Sequence, residues 1–593
     1  MTKIINRREF LAMSAKGVGA AVISYGLMGC GSSSKKEQAL QTKVSFSHGV
    51  ASGDPAHDAV ILWTRATPEK DGDIRVSWEV ATDDKFSDIV TNGNMITNKD
   101  RDYTVKVDAI QLDSGKKYYY RFMSNGTTST VGTTKTLPEG EVSKVKLAVV
   151  SCSNYPAGYF NVYELATQQK ELDAVVHLGD YIYEYGPNGF AADKAKELGR
   201  EVLPAKETIS LSDYRTRYAQ YRSDQSLQKL HTQVPFITVW DDHEVANDSW
   251  QEGAENHQDN EGDFEVRKQA ALQAYFEWLP IRPFKEGNNE EIYRSFQFGN
   301  LVDLFMLDTR LLAKDKQLEH KDYLNAATGA FDGAKFRADI TDTQRTMLGQ
   351  VQLLWLQSKL LQSTTKWQVL GQQVLMGKMF LPAAVATRQL SVSQFAKLGQ
   401  LAKLAERIKA NDPTLTPQEL QFFQANKQLL TPKAIAQLKL PSIPYNLDAW
   451  DGYAYEREVI LGTAKSKNNN LVVLAGDTHN AWANELRDVN NDVVGVEFAT
   501  ASVSSPGLEN YLKLKPEEVP ATERVITNLI ADLKYANLMD RGLMTVTFTQ
   551  EKVDAQWHYV DSVHNRAFKE NTARQFAASS TAGKAKIQLV NNK

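Results

Sequence analysis

The sequence predicts an α/β protein preceded by a small all-β unit, and three features carry that expectation. From Val44 to about Leu137, short segments such as VILWTR, IRVSWEV, YTVKVDA and KYYYRFM alternate apolar with polar residues, separated by turn signals such as DGD and DSGK. Period-two alternation between turns is the mark of half-buried antiparallel strands, so this stretch reads as a β-sandwich. After Pro138-Glu139-Gly140 the pattern changes to continuous apolar runs, VKLAVVS, LDAVVHLGD, VPFITVWDD, LVDLFMLD, KWQVLGQQ and NLVVLAGD, spaced by longer helical patterns. Strands buried on both faces read this way. Several of these runs end on a polar or ionisable residue, and strand C-termini form the ligand crevice of an open α/β sheet.

Before the sandwich, residues 1–30 read as an address. The chain begins with NRREFLAM, in which Arg7 and Arg8 are adjacent, followed by a moderately apolar stretch from Phe10 to Met28. This is the pattern of a twin-arginine export signal, a route that carries folded, cofactor-loaded proteins. The stretch ends Leu27-Met28-Gly29-Cys30, which resembles a lipobox, so Cys30 is expected to be acylated and to become the new N-terminus. A short membrane-spanning helix is the competing reading, weakened by Lys16 and a marginal apolar length. The expected partners are therefore the translocation machinery and a bacterial membrane, and the expected place is the periplasm or cell envelope. Residues 31–43, rich in Ser, Lys and Gln, read as a flexible tether.

The sandwich, 44–138, has no His, Asp and Glu at ligand spacing, and its aromatic residues suit packing. The α/β domain is expected over 139–562, with a helical insertion at 383–444 that is either a solvated hairpin or a cover for the site. Residues 563–593, rich in Ala, Ser and Lys, read as a mobile tail. With 593 residues, 42% of them hydrophobic, the chain can bury a sizeable core. A net charge of −4 with interspersed signs gives no broad cationic surface for stable nucleic-acid binding. Only Cys30 and Cys152 occur, so no disulfide is expected in the mature protein.

Four strand ends carry chemistry: Cys152 in SCSN, GDYIY from Gly179 to Tyr183, WDDHE from Trp240 to Glu244, and GDTH from Gly476 to His479. Asp180, leaving a buried strand, is the carboxylate best placed to bridge two cations. An ionised Tyr183 and a Cys152 thiolate select a transition metal, and His479 completes a mixed S, O and N set. Asp242 and Asp477 are hard oxygen ligands for a second, harder cation. His243 is read as a phosphoryl hydrogen-bond donor or general acid, or else as a metal ligand. Paired cations neutralise a phosphate ester, acidify water and stabilise the leaving oxygen.

This set resembles the metallophosphoesterase superfamily, whose motifs run from D-x-H through GDxxD and GNHE to GHxH. GDYIY is similar to the GDxxY variant of purple acid phosphatases. Cys152 in the first motif, Asp242 where the superfamily has Asn, and Asp477 where it has His resemble the PhoD branch. So do the phrases GVASGDP (Gly49 to Pro55), MLDTR (Met306 to Arg310), WDGY (Trp450 to Tyr453) and YANLMDRG (Tyr535 to Gly542). The resemblance implies a metallophosphoesterase-type β-sheet sandwich flanked by helices, behind a fibronectin-III-like sandwich. It implies ferric iron (Fe3+) on Cys152, Asp180, Tyr183 and His479, calcium (Ca2+) on Asp180, Asp242 and Asp477, and alkaline phosphomonoesterase and phosphodiesterase activity. Arg267, Arg310 and Asn154 are candidates for phosphate contact, with helix-surface or interdomain salt bridging as the other reading of the two arginines. The expected reaction is in-line attack by a metal-bound hydroxide, with His243 and Arg267 stabilising the phosphoryl charge. The rivals are a dedicated diesterase on lipid or polymer phosphates and a non-catalytic envelope binding lipoprotein.

Overall fold

Apolar runs without polar alternation must be covered on both faces, and the chain covers them by stacking two sheets. The computed structural model describes residues 40–283, 290–325 and 330–590. The first sheet has ten strands. At its centre Val145–Val150 pairs in parallel with Ala174–His177, and that strand in parallel with Phe236–Thr238. On the other side Val145–Val150 pairs antiparallel with Gly542–Phe548, which continues through Lys552–Tyr559. The second sheet has seven strands, built on the parallel run Val302–Met306, Trp367–Gly371, Leu471–Ala475 and Val493–Ala499.

The period of two decides what each side chain meets. Leu304, Val369 and Val472 join Leu147, Val149, Val176 and Met544 in the core between the sheets. Their neighbours Phe305, Leu370 and Val473 point the other way, onto Leu356 and Leu360 of the helix Gly349–Gln362 and Ile460 and Leu461 of the helix Ala454–Ser466. Each such fully buried aliphatic side chain contributes about 1.5–3 kcal/mol. Polar contacts sew the sheets together where the strands end: Thr500 Oγ1 donates to the Val149 carbonyl at 3.0 Å and Trp557 Nε1 to the Ala499 carbonyl at 2.9 Å. The helices Leu211–Arg222 and Phe264–Trp278 cover the first sheet and begin at side-chain caps, Ser210 in a capping box with Asp213, and Asp263.

The expected all-β sandwich forms, and one of its two layers continues into the large sheet. Its strands Val50–Gly53, Ala59–Arg65 and Thr104–Ile110 are the last three of the ten-stranded sheet, joined to it where Gly53 pairs with Phe236. A Cβ at Gly53 would lie 2.5 Å from the Pro280 carbonyl oxygen and 2.6 Å from that of Phe236, so the junction requires glycine. Strands Ile74–Ala81, Ile89–Thr97, Lys117–Ser124 and Gly132–Lys135 form the facing layer, and Val60, Leu62, Val76, Val80, Tyr120 and Phe122 fill the space between. Partly buried ion pairs tie the two parts: Arg294 to Asp54 at 2.7 Å and Arg282 to Asp108 at 2.8 Å.

The expected tail at 563–593 is corrected. Phe576–Thr581 pairs antiparallel with Lys552–Tyr559, and Ile587–Val590 antiparallel with Phe576–Thr581, as the final two strands of the ten-stranded sheet. Ala578 and Ile587 enter the core, and Phe576 stacks on Tyr535 with ring centroids 3.8 Å apart. Small Ala and Ser residues leave little hydrophobic contrast between the two faces, which is why composition alone reads as disorder.

Within 383–444 the chain forms the helices Val392–Lys409, Pro417–Asn426 and Pro432–Leu438, capped by Ser391, Thr416 and Thr431. They stand between the paired strands Phe380–Pro382 and Ser442–Pro444. The first buries Val392, Leu398, Leu401 and Leu404 along one face. The expected export signal, Cys30 and residues 31–39 of the expected tether lie outside the described residues. Among the described residues no helix is long and apolar enough to cross a membrane.

Candidate metal centre

Three adjacent parallel strands of the first sheet and one of the second end at the same place. Val145–Val150 runs into Cys152, Ala174–His177 into Asp180, Phe236–Thr238 into Asp241 and Asp242, and Leu471–Ala475 into Asp477 and His479. The chain turns sharply there. Cys152, Asp180, Asp477 and His479 have φ of 60°, 56°, 62° and 61°, the left-handed region that costs non-glycine residues about 1–3 kcal/mol each. Four such residues at one crevice are strain held in place for a purpose.

The turns bring donor atoms together in three overlapping groups, each within 4.8 Å: Cys152 with Asp180 and His479, Asp180 with Asp242 and His243, and Asp241 with Asp242 and Asp477. Asp180 belongs to the first two groups and Asp242 to the last two. The Tyr183 hydroxyl lies 2.9 Å from Asp180 Oδ2 and 3.1 Å from His479 Nε2, and accepts from Ser505 Oγ at 2.6 Å. His479 Nδ1 is 2.7 Å from the Pro506 carbonyl, which can only accept, so the ring proton sits on Nδ1 and Nε2 offers its lone pair.

Other side chains hold these groups in position. Glu244 is fully buried and accepts from the backbone N–H of Asp180, Tyr181 and Asp241 at 3.1, 2.6 and 2.7 Å, binding two strand ends to each other. Glu184 bonds His243 Nδ1 at 2.7 Å and also accepts from the Asn247 N–H and the Asn256 amide. The His243 ring stacks on Tyr183 with centroids 4.1 Å apart. Fully buried Arg310 pairs with Asp241 and Asp448 and, at 2.7 Å, with Asp477, while Lys314 holds the other oxygen of Asp448.

The electrostatics fit a cation site. Burial pushes the Cys152 thiol well above its ordinary range, and Asp180, Asp241 and Asp477 add to the shift. Burial, then Asp180 and Cys152, raise the Tyr183 phenol likewise. Burial raises Asp241 well above the carboxylate range, and burial with the neighbouring aspartates pushes Asp477 up to about 6 against the pull of Arg310. Burial opposes ionisation of Asp242 too, but His243 and Arg310 outweigh it and hold its carboxyl low. Donors that keep their protons so firmly release them to a di- or trivalent cation, the usual coupling of metal binding to deprotonation. Oδ1 of Asp180 and Oδ2 of Asp241 are buried without a hydrogen-bond partner among the described residues, which leaves each a coordination position. Thiolate, phenolate and imidazole suit iron, and the aspartate side suits a harder ion.

Cys152, Asp180, Tyr183, Asp242, Asp477, His479 and His243 thus converge as expected from the four strand ends. Arg267 does not join them. Its guanidinium is taken by the Tyr214 hydroxyl at 3.0 Å, the Asn256 carbonyl at 2.8 Å and Glu207 at 2.7 Å, so it braces the segment behind Glu184. Arg310 is at the site but not open to phosphate, because its three nitrogens are spent on aspartates. Asn154 donates to the Phe190 carbonyl at 2.9 Å and so holds the ring of Phe190, which lies 5.8 Å from both His479 and Tyr511. Asp241, Asp448, Glu184 and Lys314 are the residues sequence reasoning missed. Asp241 and Glu184 directly adjoin the motif residues, and that adjacency was the available signal; Asp448 and Lys314 lie in irregular segments with none.

The Glu184 contact makes a prediction. Glu184→Gln keeps the shape but removes the charge that orients His243, and is expected to lower turnover of a phosphate ester about 10- to 100-fold with little change in KM. Steady-state kinetics matching the parent would show that His243 needs no such support.

Comparison with known proteins agrees with this geometry. A family model described as PhoD-like phosphatase matches residues 147–557, and one described as PhoD-like phosphatase, N-terminal domain, matches residues 31–138. Alkaline phosphatase D of Bacillus subtilis (strain 168) is 36% identical over 479 residues, covering 78% of this chain and 70% of its own length. A solved structure of PhoD superposes with a TM-score of 0.72 at 30% identity, over 92% of each chain.

Proposed function

The chain belongs to the PhoD-like phosphatase family and is a phosphoric ester hydrolase, and from that premise we propose that it works outside the cytoplasm as a metal-dependent enzyme on both phosphomonoesters and phosphodiesters. The overlap of the three donor groups through Asp180 and Asp242 carries the reading, since shared carboxylates hold two cations close together. Cys152, Asp180, Tyr183 and His479 would hold Fe3+, and Asp180, Asp242 and Asp477 would hold Ca2+. Bound there, these ions supply the positive charge that neutralises a phosphoryl group and acidifies water.

The chain's own residues do the rest. Asp180 places the two donor sets in register. His243, with Nδ1 committed to Glu184, has Nε2 left to hold a proton for a phosphoryl oxygen or for the leaving alcohol. Phe190 and Tyr511 stack beside His479, an apolar wall on one side of the acidic crevice. The N-terminal pattern around Arg7, Arg8 and Cys30 supports export through the twin-arginine route and a lipid anchor in the cell envelope.

Elemental analysis of protein purified from its own host, with rates on monoester and diester substrates, tests the reading. Iron and calcium are expected to copurify with a visible absorption band, and Cys152→Ala with Tyr183→Phe is expected to abolish the band and the iron. An iron-free, colourless and fully active protein would overturn the assigned metals.

A further inference from the structure

The insertion carries a charge opposite in sign to that of the whole chain. Residues 383–444 carry eight basic side chains and three acidic ones, a net +5 in a chain of net −4, so the remainder carries −9. Arg407 is paired with both Asp412 and Glu419. Lys397, Lys403, Lys409, Lys427, Lys433 and Lys439 are all exposed and, among the described residues, form no ion pair. Apolar side chains stand beside them without a core to enter. The helix Pro417–Asn426 and the turn Lys427–Leu429 bury no residue, although they contain Leu420, Phe422, Phe423 and Leu429. Leu420, Leu429 and Ile435 are 39%, 40% and 41% exposed.

Unpaired lysines interleaved with exposed leucine and isoleucine match one kind of partner best. A second copy of the module would set lysine against lysine, and a soluble polyanion has no use for the apolar side chains. An anionic bilayer uses both, phosphate headgroups for the ammonium groups and the acyl boundary for the leucines. We propose that the helices of the insertion form a docking surface for an anionic lipid bilayer. The insertion rejoins the chain beside the acidic crevice, since Asp448, just past its closing strand Ser442–Pro444, is bonded by Arg310 and Lys314. Docking would therefore hold the crevice close to the membrane.

Flotation with vesicles tests this on the chain from residue 31 to 593, so that neither the apolar stretch Phe10 to Met28 nor an acyl group on Cys30 contributes. Binding is expected to vesicles of phosphatidylcholine mixed with phosphatidylglycerol, to weaken with added salt, and to be far weaker with phosphatidylcholine alone. Lys427→Gln, Lys433→Gln and Lys439→Gln together are expected to lower partitioning about a hundredfold, at roughly 1 kcal/mol for each lysine. Leu420→Ser, Leu429→Ser and Ile435→Ser should also lower it, and both variants should hydrolyse soluble p-nitrophenyl phosphate like the parent. Equal binding of the parent to the two kinds of vesicle, or retention by soluble polyphosphate with none by vesicles, would overturn the proposal. Failure of the parent to hydrolyse the soluble ester would instead strike at the enzymatic reading, and vesicle binding would still be measurable.

Discussion

Asp180→Asn is expected to cut turnover of a phosphate ester by about a thousandfold or more while the protein still folds. Asp180 is the only residue of the described donor groups to stand beside both the Cys152–His479 pair and the Asp242–His243 pair. Asparagine fills the same volume but offers one neutral oxygen where the carboxylate offers two charged ones, so the two cations proposed for the site would lose their common ligand. Metal-supplied charge stabilises a phosphoryl transition state by several kcal/mol, and each 1.36 kcal/mol is tenfold in rate. Folding should survive, because the substitution removes a charge from a pocket already crowded with acids and leaves the backbone N–H bond to Glu244 in place. Near-parental kcat in a variant with unchanged circular dichroism would rule out the bridging role.

Arg310→Ala should act on stability rather than on chemistry alone. Its guanidinium is fully buried and is the counter-charge for Asp241, Asp448 and Asp477, with Asp242 at 4.0 Å. Removing one partner of a buried ion pair leaves uncompensated charge and costs about 3–5 kcal/mol. In metal-free buffer the loss should be read as a lower denaturation midpoint in urea, and calcium should recover part of it by supplying charge to the same aspartates. A midpoint equal to the parent's in metal-free buffer would mean that the aspartates do not depend on Arg310.

The buried strands and the four strand ends were legible because a buried parallel strand is a run of Val, Leu and Ile that stops abruptly, and the residue at the stop marks the crevice. Cys152, Asp180, Asp242 and Asp477 all sit at such stops. The residues that position them were not legible. Asp448 and Lys314 come from irregular segments that only tertiary folding brings to Arg310. Arg267 carried the right functional group in a promising helix, but its use is decided by Glu207 and Tyr214, which lie far from it in sequence. The last two strands were hidden by small side chains. Overall net charge concealed the basic insertion, because a total of −4 averages over regions of opposite sign.

The glycine junction between Gly53 and Phe236 bears on how this polypeptide can be divided. A cut near Pro138 follows the gap between the two family models but runs across this pairing, where the Phe236 carbonyl also accepts from the Asp54 N–H at 3.0 Å, and would leave Phe236–Thr238 as a sheet edge open to recruitment by another molecule. The front portion is therefore not a detachable cassette, and heating should melt it in the same cooperative event as the catalytic sheet.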